Sequence, residues 1–224
     1  MECIIQARMS SKRFPGKVLK KIRGKEILTH VISNIKKSKE ISKIIVATSN
    51  KKNDNLIEKY CIRNEILYYR GPLNNVTKRI SNLLRQFKIK SFVRITADSP
   101  LIDHKLIDKA IRIFNKGNYD IVTNVFPRSF PIGQSVEVVK AKKLLEIKNK
   151  IKINRHKEHV TSFFYENSSK FKIYNIKNKT NFSDINLSIN TKNDFKRINR
   201  MLKYINNNSL SLLKNIQVYK KILV

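Results

Sequence analysis

The chain has 224 residues, 41% of them hydrophobic and none of them tryptophan, which suits an ordinary globular core. Lysine and arginine total 48 against 16 aspartates and glutamates, a formal net charge of +32. That excess suggests nucleic-acid binding, but the basic residues are spread along the whole chain rather than gathered on one helix or tail. Lys, Asn and Ile are also over-used together, a bias that A/T-rich codons alone produce, so no specific nucleic-acid partner is expected. Such a field still draws small polyanions toward the surface.

Other classes are excluded by what the chain lacks. No apolar run approaches the roughly 20 residues of a membrane span, and Glu2 leads straight into a strand with no basic-then-apolar leader. The expectation is therefore no membrane partner and a cytoplasmic setting. Cys3 and Cys61 are the only cysteines, one in a core strand and one at a helix end, so neither disulfide nor cysteine-metal chemistry is expected.

Taken in order, Cys3-Ile4-Ile5 reads as a buried first strand that stops in a basic, small-residue loop, Gln6-Ala7-Arg8-Met9-Ser10-Ser11-Lys12-Arg13-Phe14-Pro15-Gly16-Lys17. A buried strand feeding such a loop is how α/β proteins build polyphosphate sites, with backbone N–H donors and Arg/Lys charge around the oxyanions. A solvated basic loop is the competing reading, since the pattern is neither a P-loop nor a dinucleotide fingerprint. Val18 to Ile22 reads as extended, and Gly24-Lys25 as a turn. Ile27–Lys37 repeats its apolar residues at helical spacing.

Lys43–Ala47 is a second buried strand ending in Thr48-Ser49-Asn50; Asp54 to Arg63 is a helix, and Ile66–Tyr69 a third strand running into Arg70-Gly71-Pro72. This alternation predicts a mostly parallel, doubly wound sheet, whose ligands collect beyond the carboxyl ends of the strands. The loops after Ile5, Ala47 and Tyr69 are expected to line one cleft. Val76–Phe87 is another helix, and Ser91–Ile95 a fourth strand delivering Thr96-Ala97-Asp98-Ser99-Pro100. An acid at a buried strand tip suits a hard cation held against phosphate oxygens, or else a cap for the next segment.

Lys105–Lys116 is helical, with Asp103 as its N-cap, and Tyr119–Thr123 is a fifth strand. A long aromatic and proline-rich connection from Asn124 to Gln134 precedes a strand over Ser135–Val139; ordered loops of that length are often functional. Asn154 to Asn167 is read as one helix carrying His156 and His159, whose spacing without a third ligand disfavours zinc. Phe171–Ile176 and Ile185–Ile189 read as strands and Asp194–Asn206 as the closing helix, after which a short helix and strand finish the chain. No linker or repeat interrupts it, so one domain spanning residues 1–224 is expected.

The pattern Gln6-Ala7-Arg8-x-x-Ser11-x-Arg13-Phe14-Pro15-Gly16-Lys17 resembles the loop of the sugar-activating cytidylyltransferases, makers of CMP-linked acidic sugars such as CMP-Kdo and CMP-sialic acid, and within them the spore-coat-polysaccharide branch. The resemblance implies a Rossmann-like three-layer α/β/α sandwich of the nucleotide-diphospho-sugar transferase kind. It implies CTP as one substrate, a sugar or sugar acid as the other, and Mg²⁺ as cofactor. Arg8, Ser11, Arg13 and Lys17 take the triphosphate, with Gln6, Ala7, Thr48, Ser49, Arg70 and Gly71 around the nucleotide. Arg8, Arg13, Lys17 and Asp98 are the implied catalytic set.

Other matches come with departures. Asp98-Ser99-Pro100 resembles the family's magnesium element. Gly133-Gln134-Ser135-Val136-Glu137 keeps a glutamate but has Ser135 in place of an acid, and Glu158-His159-Val160-Thr161 matches an acceptor-side element. By that likeness Arg128, Gln134, Glu137, Glu158 and His159 face the acceptor. Asn190-Thr191-Lys192-Asn193-Asp194 resembles an Asp-Thr-x-x-Asp element with Asn190 where relatives carry a second magnesium carboxylate, so Asp98 and Asn190 are the implied metal pair. Pro72 to Thr77 replaces a base-recognition motif, leaving the base contacts open. A homodimer is a family expectation that these residues do not themselves specify. The competing classes are a GT-A glycosyltransferase, whose usual Asp-x-Asp is not found here, and a noncatalytic nucleotide or polyanion binder, suggested by Asn190 and Ser135.

Overall fold

The computed structural model describes residues 1–205 and 211–223. In chain order the elements are strand β1 (Glu2–Gln6), the two-stranded hairpin β2 (Lys21–Ile22) and β3 (Lys25–Glu26), helix α1 (Ile27–Ile35), β4 (Lys43–Ser49), α2 (Asn55–Arg63), β5 (Leu67–Gly71), α3 (Val76–Gln86), β6 (Ser91–Thr96) and α4 (His104–Lys116). There follow β7 (Ile121–Thr123), β8 (Glu137–Lys140), α5 (Ala141–Ile147), α6 (Asn154–Glu158), α7 (Ser162–Glu166), β9 (Ile173–Asn175), α8 (Lys192–Tyr204) and α9 (Leu212–Leu223).

Seven strands form one sheet in the order β5-β4-β1-β6-β8-β7-β9. β1 lies between β4 and β6 and is parallel to both, with Ile4 opposite Ile45 on one side and Arg94 on the other. β8 is antiparallel to both neighbours, β6 and β7. The expected mostly parallel, doubly wound sheet is thus present, with helices on both faces.

Alternation along β1 explains why it reads as unbroken apolar sequence. Cys3 and Ile5 point to the face covered by α1, α2 and α4, where Leu28, Val31, Ile57, Ile107 and Ala110 pack against Val46, Val93 and Val138. Ile4 points to the other face, with Ile45, Phe92 and Val139, under Ile80, Leu83, Leu144 and Phe164. A strand covered on both sides has no polar face to show. A third cluster lies off the sheet, where Phe14, Ile22, Leu101, Leu187 and Ile189 meet Ile198, Met201 and Ile216 of the last two helices.

Several elements differ from the sequence expectation. The stretch Val18 to Ile22 opens with a 3-10 turn over Lys17–Leu19 before the hairpin begins. The third parallel strand runs to Gly71, and the strand expected over Ser135–Val139 begins at Glu137. Helix α5 is short, starts directly from β8 and was not anticipated. The single helix expected from Asn154 to Asn167 is two, because the backbone leaves helical geometry at His159.

Ile185–Ile189 is not a strand. It forms one isolated parallel bridge, Ile132 to Asn186, outside the sheet, and its Ile189 N–H donates to the Asp98 carbonyl at 2.9 Å, while Ile185, Leu187 and Ile189 belong to the third core. Alternating burial of an extended segment gives the same pattern as a strand without a ladder. Residues 212–223 are helical, so the expected final strand does not form there. The expected end of the closing helix, Asn206, lies outside the described residues.

Gly133 fixes the approach of two of these segments. Its φ is +91°, and a Cβ there would stand 2.6 Å from the Leu187 carbonyl carbon and 2.7 Å from the Ser188 nitrogen. Backbone cannot move aside as a side-chain tip can, and the conformation itself disfavours an L side chain. Gly133→Ala is expected to cost at least about 2 kcal/mol of folding stability, measured by urea denaturation.

Candidate active site

The loop after β1 is tied at both ends. The Met9 N–H donates to Asp54 Oδ1 at 2.7 Å, and the Met9 carbonyl accepts from Ser11 N–H at 2.9 Å and Gly16 N–H at 2.8 Å. Phe14 is buried in the third core against Phe195, edge to face. Between the anchors, Ser10, Lys12 and Arg13 are left exposed. Gly16 has φ +70°, which lets the chain reverse into Lys17.

A cleft of about 620 Å³ opens at the carboxyl ends of β1 and β6. It brings together Gln6, Ala7, Arg8, Ser11, Arg13 and Lys17 from the first loop, Asp98 beyond β6, Glu158 and His159 after α6, and Asn190 before α8. In its wall the Lys17 ammonium lies 2.8 Å from Asp98 Oδ2, 2.7 Å from the Ile189 carbonyl and 3.0 Å from Asn190 Oδ1. A carboxylate, an amide oxygen and a carbonyl thus converge on one cationic point. Hard oxygens with few carboxylates are what Mg²⁺ takes when phosphate and water complete its shell, so this donor set fits that ion once the ammonium turns toward a phosphate.

Arg8 meets Glu158 across the mouth at 2.6 Å, both side chains being 36% exposed. A pair so accessible contributes little and exchanges readily for an anionic ligand. Asn190 is held from behind: its N–H donates to Asp194 Oδ2 at 2.9 Å, as does Thr191 N–H. Thr191 and Asp194 complete a capping box on α8.

Other expected site residues lie elsewhere. Thr48 and Ser49 are fully buried; Ser49 donates from both N–H and Oγ to Asp54, the residue that holds Met9. Arg70 binds the Ser49 carbonyl at 3.0 Å and Asn55 Oδ1 at 2.7 Å, and pairs with Glu58, so it joins β5 to α2. Gly71 makes room for the stem of Arg79. The loop after Ala47 therefore supports the cleft from behind rather than lining it.

The expected acceptor side is likewise turned inward. Gln134 is fully buried, donating to the Leu101 carbonyl at 2.6 Å and accepting from Asp103 N–H at 3.0 Å. Arg128 donates to Ser135 Oγ at 3.0 Å; burial pushes its pKa down, against the pull of Glu137. Glu137 accepts from Thr161 Oγ1 at 2.7 Å and from Tyr165 and Arg94. Burial, then the neighbouring Glu137 charge, pushes the Tyr165 phenol well up, so it stays a donor.

Among the lining residues missed are two cations that interrupt apolar patterns, Arg94 and Arg79. Arg94 sits in an otherwise apolar strand, bonded to Gln6 Oε1 and Glu137, and Arg79 lies on the apolar side of α3 between Val76, Ile80 and Leu83. A cation interrupting a buried pattern is the signal that could have found both.

A mostly parallel sheet with a cationic loop and a carboxylate-bearing strand tip at its carboxyl edge defines a nucleotide-binding α/β protein of the nucleotidyltransferase kind. A cytidylyltransferase family model matches residues 2–221, and the chain belongs to that family of CTP-dependent enzymes. It is 36% identical over 195 residues to an uncharacterised protein of Methanocaldococcus jannaschii, covering 86% of this chain and 79% of that one. It is 29% identical over 204 residues to the spore coat polysaccharide biosynthesis protein SpsF of Bacillus subtilis, covering 87% and 83%. The solved cytidylyltransferase of Leptospira borgpetersenii superposes with a TM-score of 0.93 at 29% identity, over 99% of this chain and 94% of that one. No helix among the described residues is long and apolar enough to cross a membrane.

Burial alone would push the Asp194 carboxyl up, but the Asn190 N–H, the Arg197 guanidinium and the Thr191 hydroxyl together hold it below its ordinary range. A depressed folded pKa contributes stability above the unfolded value, near about 3.9, and loses it as pH falls through the folded one. Asp194→Asn should therefore melt below the unaltered protein at neutral pH, with the gap narrowing below about pH 4. Thermal melting across that range measures it.

Proposed function

We propose that the chain transfers a cytidylyl group from CTP to a hydroxyl of a sugar or sugar acid, in the cytoplasm, for surface polysaccharide or glycan synthesis. The observation that carries this reading is the convergence of the Arg8–Lys17 loop with Asp98 and Asn190 in one cleft. The name of the Bacillus relative, a spore coat polysaccharide biosynthesis protein, supports the pathway class.

In this reading an acceptor oxygen attacks the α-phosphorus, the bond to the bridging oxygen of the β-phosphate breaks, and pyrophosphate leaves with that electron pair while the hydroxyl proton passes to solvent. Little covalent chemistry falls to the protein; positioning and charge neutralisation carry the rate. Arg8 exchanges Glu158 for phosphate oxygens. Arg13 and Ser11, on the exposed stretch of the loop, take the outer phosphates. Lys17 turns from Asp98 and Asn190 to the phosphate chain. Those two residues would hold Mg²⁺, which when bound supplies Lewis-acid charge on the phosphates.

Glu158 and His159, at the open mouth, face the acceptor. Arg128, Gln134 and Glu137 act on it through the wall they build: Glu137 orients Arg94, and Gln134 pins Leu101 and Asp103.

Calorimetric titration with CTP, UTP, ATP and GTP at near-physiological salt, with and without Mg²⁺, tests the reading. CTP-selective binding that strengthens with Mg²⁺, and that loses its Mg²⁺ response in Asp98→Asn, is expected. Equal, salt-sensitive binding of all four would sink it, because only the diffuse positive field would then be at work. Asn190→Asp adds a carboxylate to the same donor set, so half-saturation by Mg²⁺ in the titration should move to lower concentration.

A further inference from the structure

The tip of the β2–β3 hairpin and the last turn of α8 border a cavity of about 420 Å³ that shares no residue with the cleft at the carboxyl ends of the strands. Arg23 and Lys25 reach it from the hairpin, His30 from α1, and Lys203 and Tyr204 from α8. The rest of its wall is aliphatic, Leu202 and Ile205, so no carboxylate borders it. Lys221 of α9 adds a cation beside it, its ammonium 5.5 Å from the centre of the Tyr204 ring. Among the described residues Arg23, Lys25 and Lys203 form no ion pair. The neighbouring acid, Glu26, is taken by Arg63 at 2.9 Å and by the Thr29 hydroxyl at 3.1 Å.

His30 is 8% exposed, and one end of its ring is tied down. Its Nε2 lies 3.0 Å from the Ile22 carbonyl, which can only accept, so Nε2 carries the hydrogen. Nδ1 is then a lone-pair nitrogen without a partner among the described residues. It is not sealed in the core, and its ring borders the cavity. Burial, joined by the Lys25 charge, holds the imidazole below its ordinary pKa, against the pull of the Ile22 carbonyl and of Glu26. Arg23, Lys203 and Tyr204 are the other titratable groups that border the cavity with it. A nearly buried neutral histidine thus shares one space with three cations and no anion.

The turn itself departs from what the backbone favours. Arg23 and Gly24 both have positive φ, +50° and +80°, the primed turn that closes a two-residue hairpin. Asparagine suits the first of those positions, and a longer L side chain is disfavoured there. An arginine kept in that conformation beside a cavity is local strain of the kind that accompanies ligand sites. A phosphate group fits the chemistry. The arginine fork and the two ammoniums supply charge-assisted donors, the Tyr204 hydroxyl a neutral one, and His30 Nδ1 becomes a donor once the ring is protonated beside the anion.

We propose that this cavity is a second anion site, which takes the phosphate group of a small molecule or of a lipid headgroup. Binding there carries a proton: His30 takes one up as the anion enters and gives it back as the anion leaves. The inference stands apart from the cytidylyl-transfer reading, since no residue of the cleft takes part in it.

Imidazole NMR of the full chain between about pH 5 and 8 tests it, in inorganic phosphate and in sodium chloride of matched ionic strength. The chain has four histidines, and the His30 signal is the one lost in His30→Gln. Should that variant fail to fold, Arg23→Ser and Lys203→Gln, both at exposed positions, identify the signal by moving it. In phosphate the His30 midpoint should stand about one pH unit above its value in chloride. Arg23→Ser and Lys203→Gln should raise the phosphate concentration needed for half that rise roughly tenfold, whereas Lys142→Gln on α5 should leave it unchanged. A second arm locates the phosphate by sedimentation with phosphatidylglycerol or phosphatidylcholine vesicles. A His30 response to inorganic phosphate assigns the site to a soluble phosphate compound. Sedimentation with phosphatidylglycerol alone, weakened by Lys203→Gln, in a protein whose His30 ignores inorganic phosphate assigns it to a headgroup. Equal midpoints in phosphate and chloride without vesicle binding would overturn the inference. So would an equal effect of Lys142→Gln and Lys203→Gln, because only the diffuse positive field would then be at work.

Discussion

One buried ammonium joins three parts of the chain that are distant in sequence. Lys17 closes the first loop, Asp98 stands at the tip of β6, and Ile189 and Asn190 precede α8; the three oxygens lie within 3.0 Å of the same nitrogen. Lys17 is only 8% exposed, so these bonds form where water competes weakly. They tie the first loop to the tip of β6 and to the segment before α8. Remove the ammonium and a carboxylate and two neutral oxygens would be left facing each other with nothing between them. The site is built around a cation position, and the protein supplies its own cation to fill it.

Two further polar nodes hold the walls on either side. Asp54 accepts from Met9 N–H and from Ser49, so the loop after β4 steadies the loop after β1 without entering the cleft. On the far side Glu137 gathers Arg94, Thr161 and Tyr165, and Arg94 in turn binds Gln6. Buried charges survive there because each is paired and hydrogen-bonded. Arg79 is the departure from that rule among the buried cleft cations of the described residues: its guanidinium donates to the Pro72 carbonyl, and its Nε has no partner.

The central sheet was legible because its strands are covered on both faces and so appear as short apolar runs between helical repeats. The phosphate loop was legible for a different reason: its chemistry is local, with Arg8, Ser11, Arg13 and Lys17 crowded into one turn of chain. Arg70, Gln134 and Glu137 were placed at the ligand on resemblance, but their partners are set by tertiary contacts that no local pattern encodes. Gln134 meets Leu101, 33 positions away, and Arg94 meets Gln6, 88 positions away. Ile185–Ile189 misled because alternating burial is a property of any extended segment against a core. His159 broke a helix whose composition gave no breaker, since neither glycine nor proline lies between Asn154 and Asn167.

Asn190 changes the arithmetic at the centre of the cleft. With an aspartate there, two carboxylates would face one ammonium, leaving a net negative site that holds Lys17 firmly and attracts a divalent ion strongly. With asparagine, Asp98 and Lys17 cancel, and the amide contributes an oxygen without a charge. The site is then poised near neutrality: the ammonium is retained by one charge-assisted bond and two neutral ones, and an incoming polyphosphate, already favoured by the +32 chain, outbids a single carboxylate for it. An amide would hold a metal more weakly than a carboxylate, and by the same lack of charge it holds Lys17 more loosely. In the proposed reaction both effects would shift the balance of charge in the cleft from the protein's own carboxylate toward the nucleotide's phosphates, so that occupancy of the cation position would depend more on the nucleotide being there.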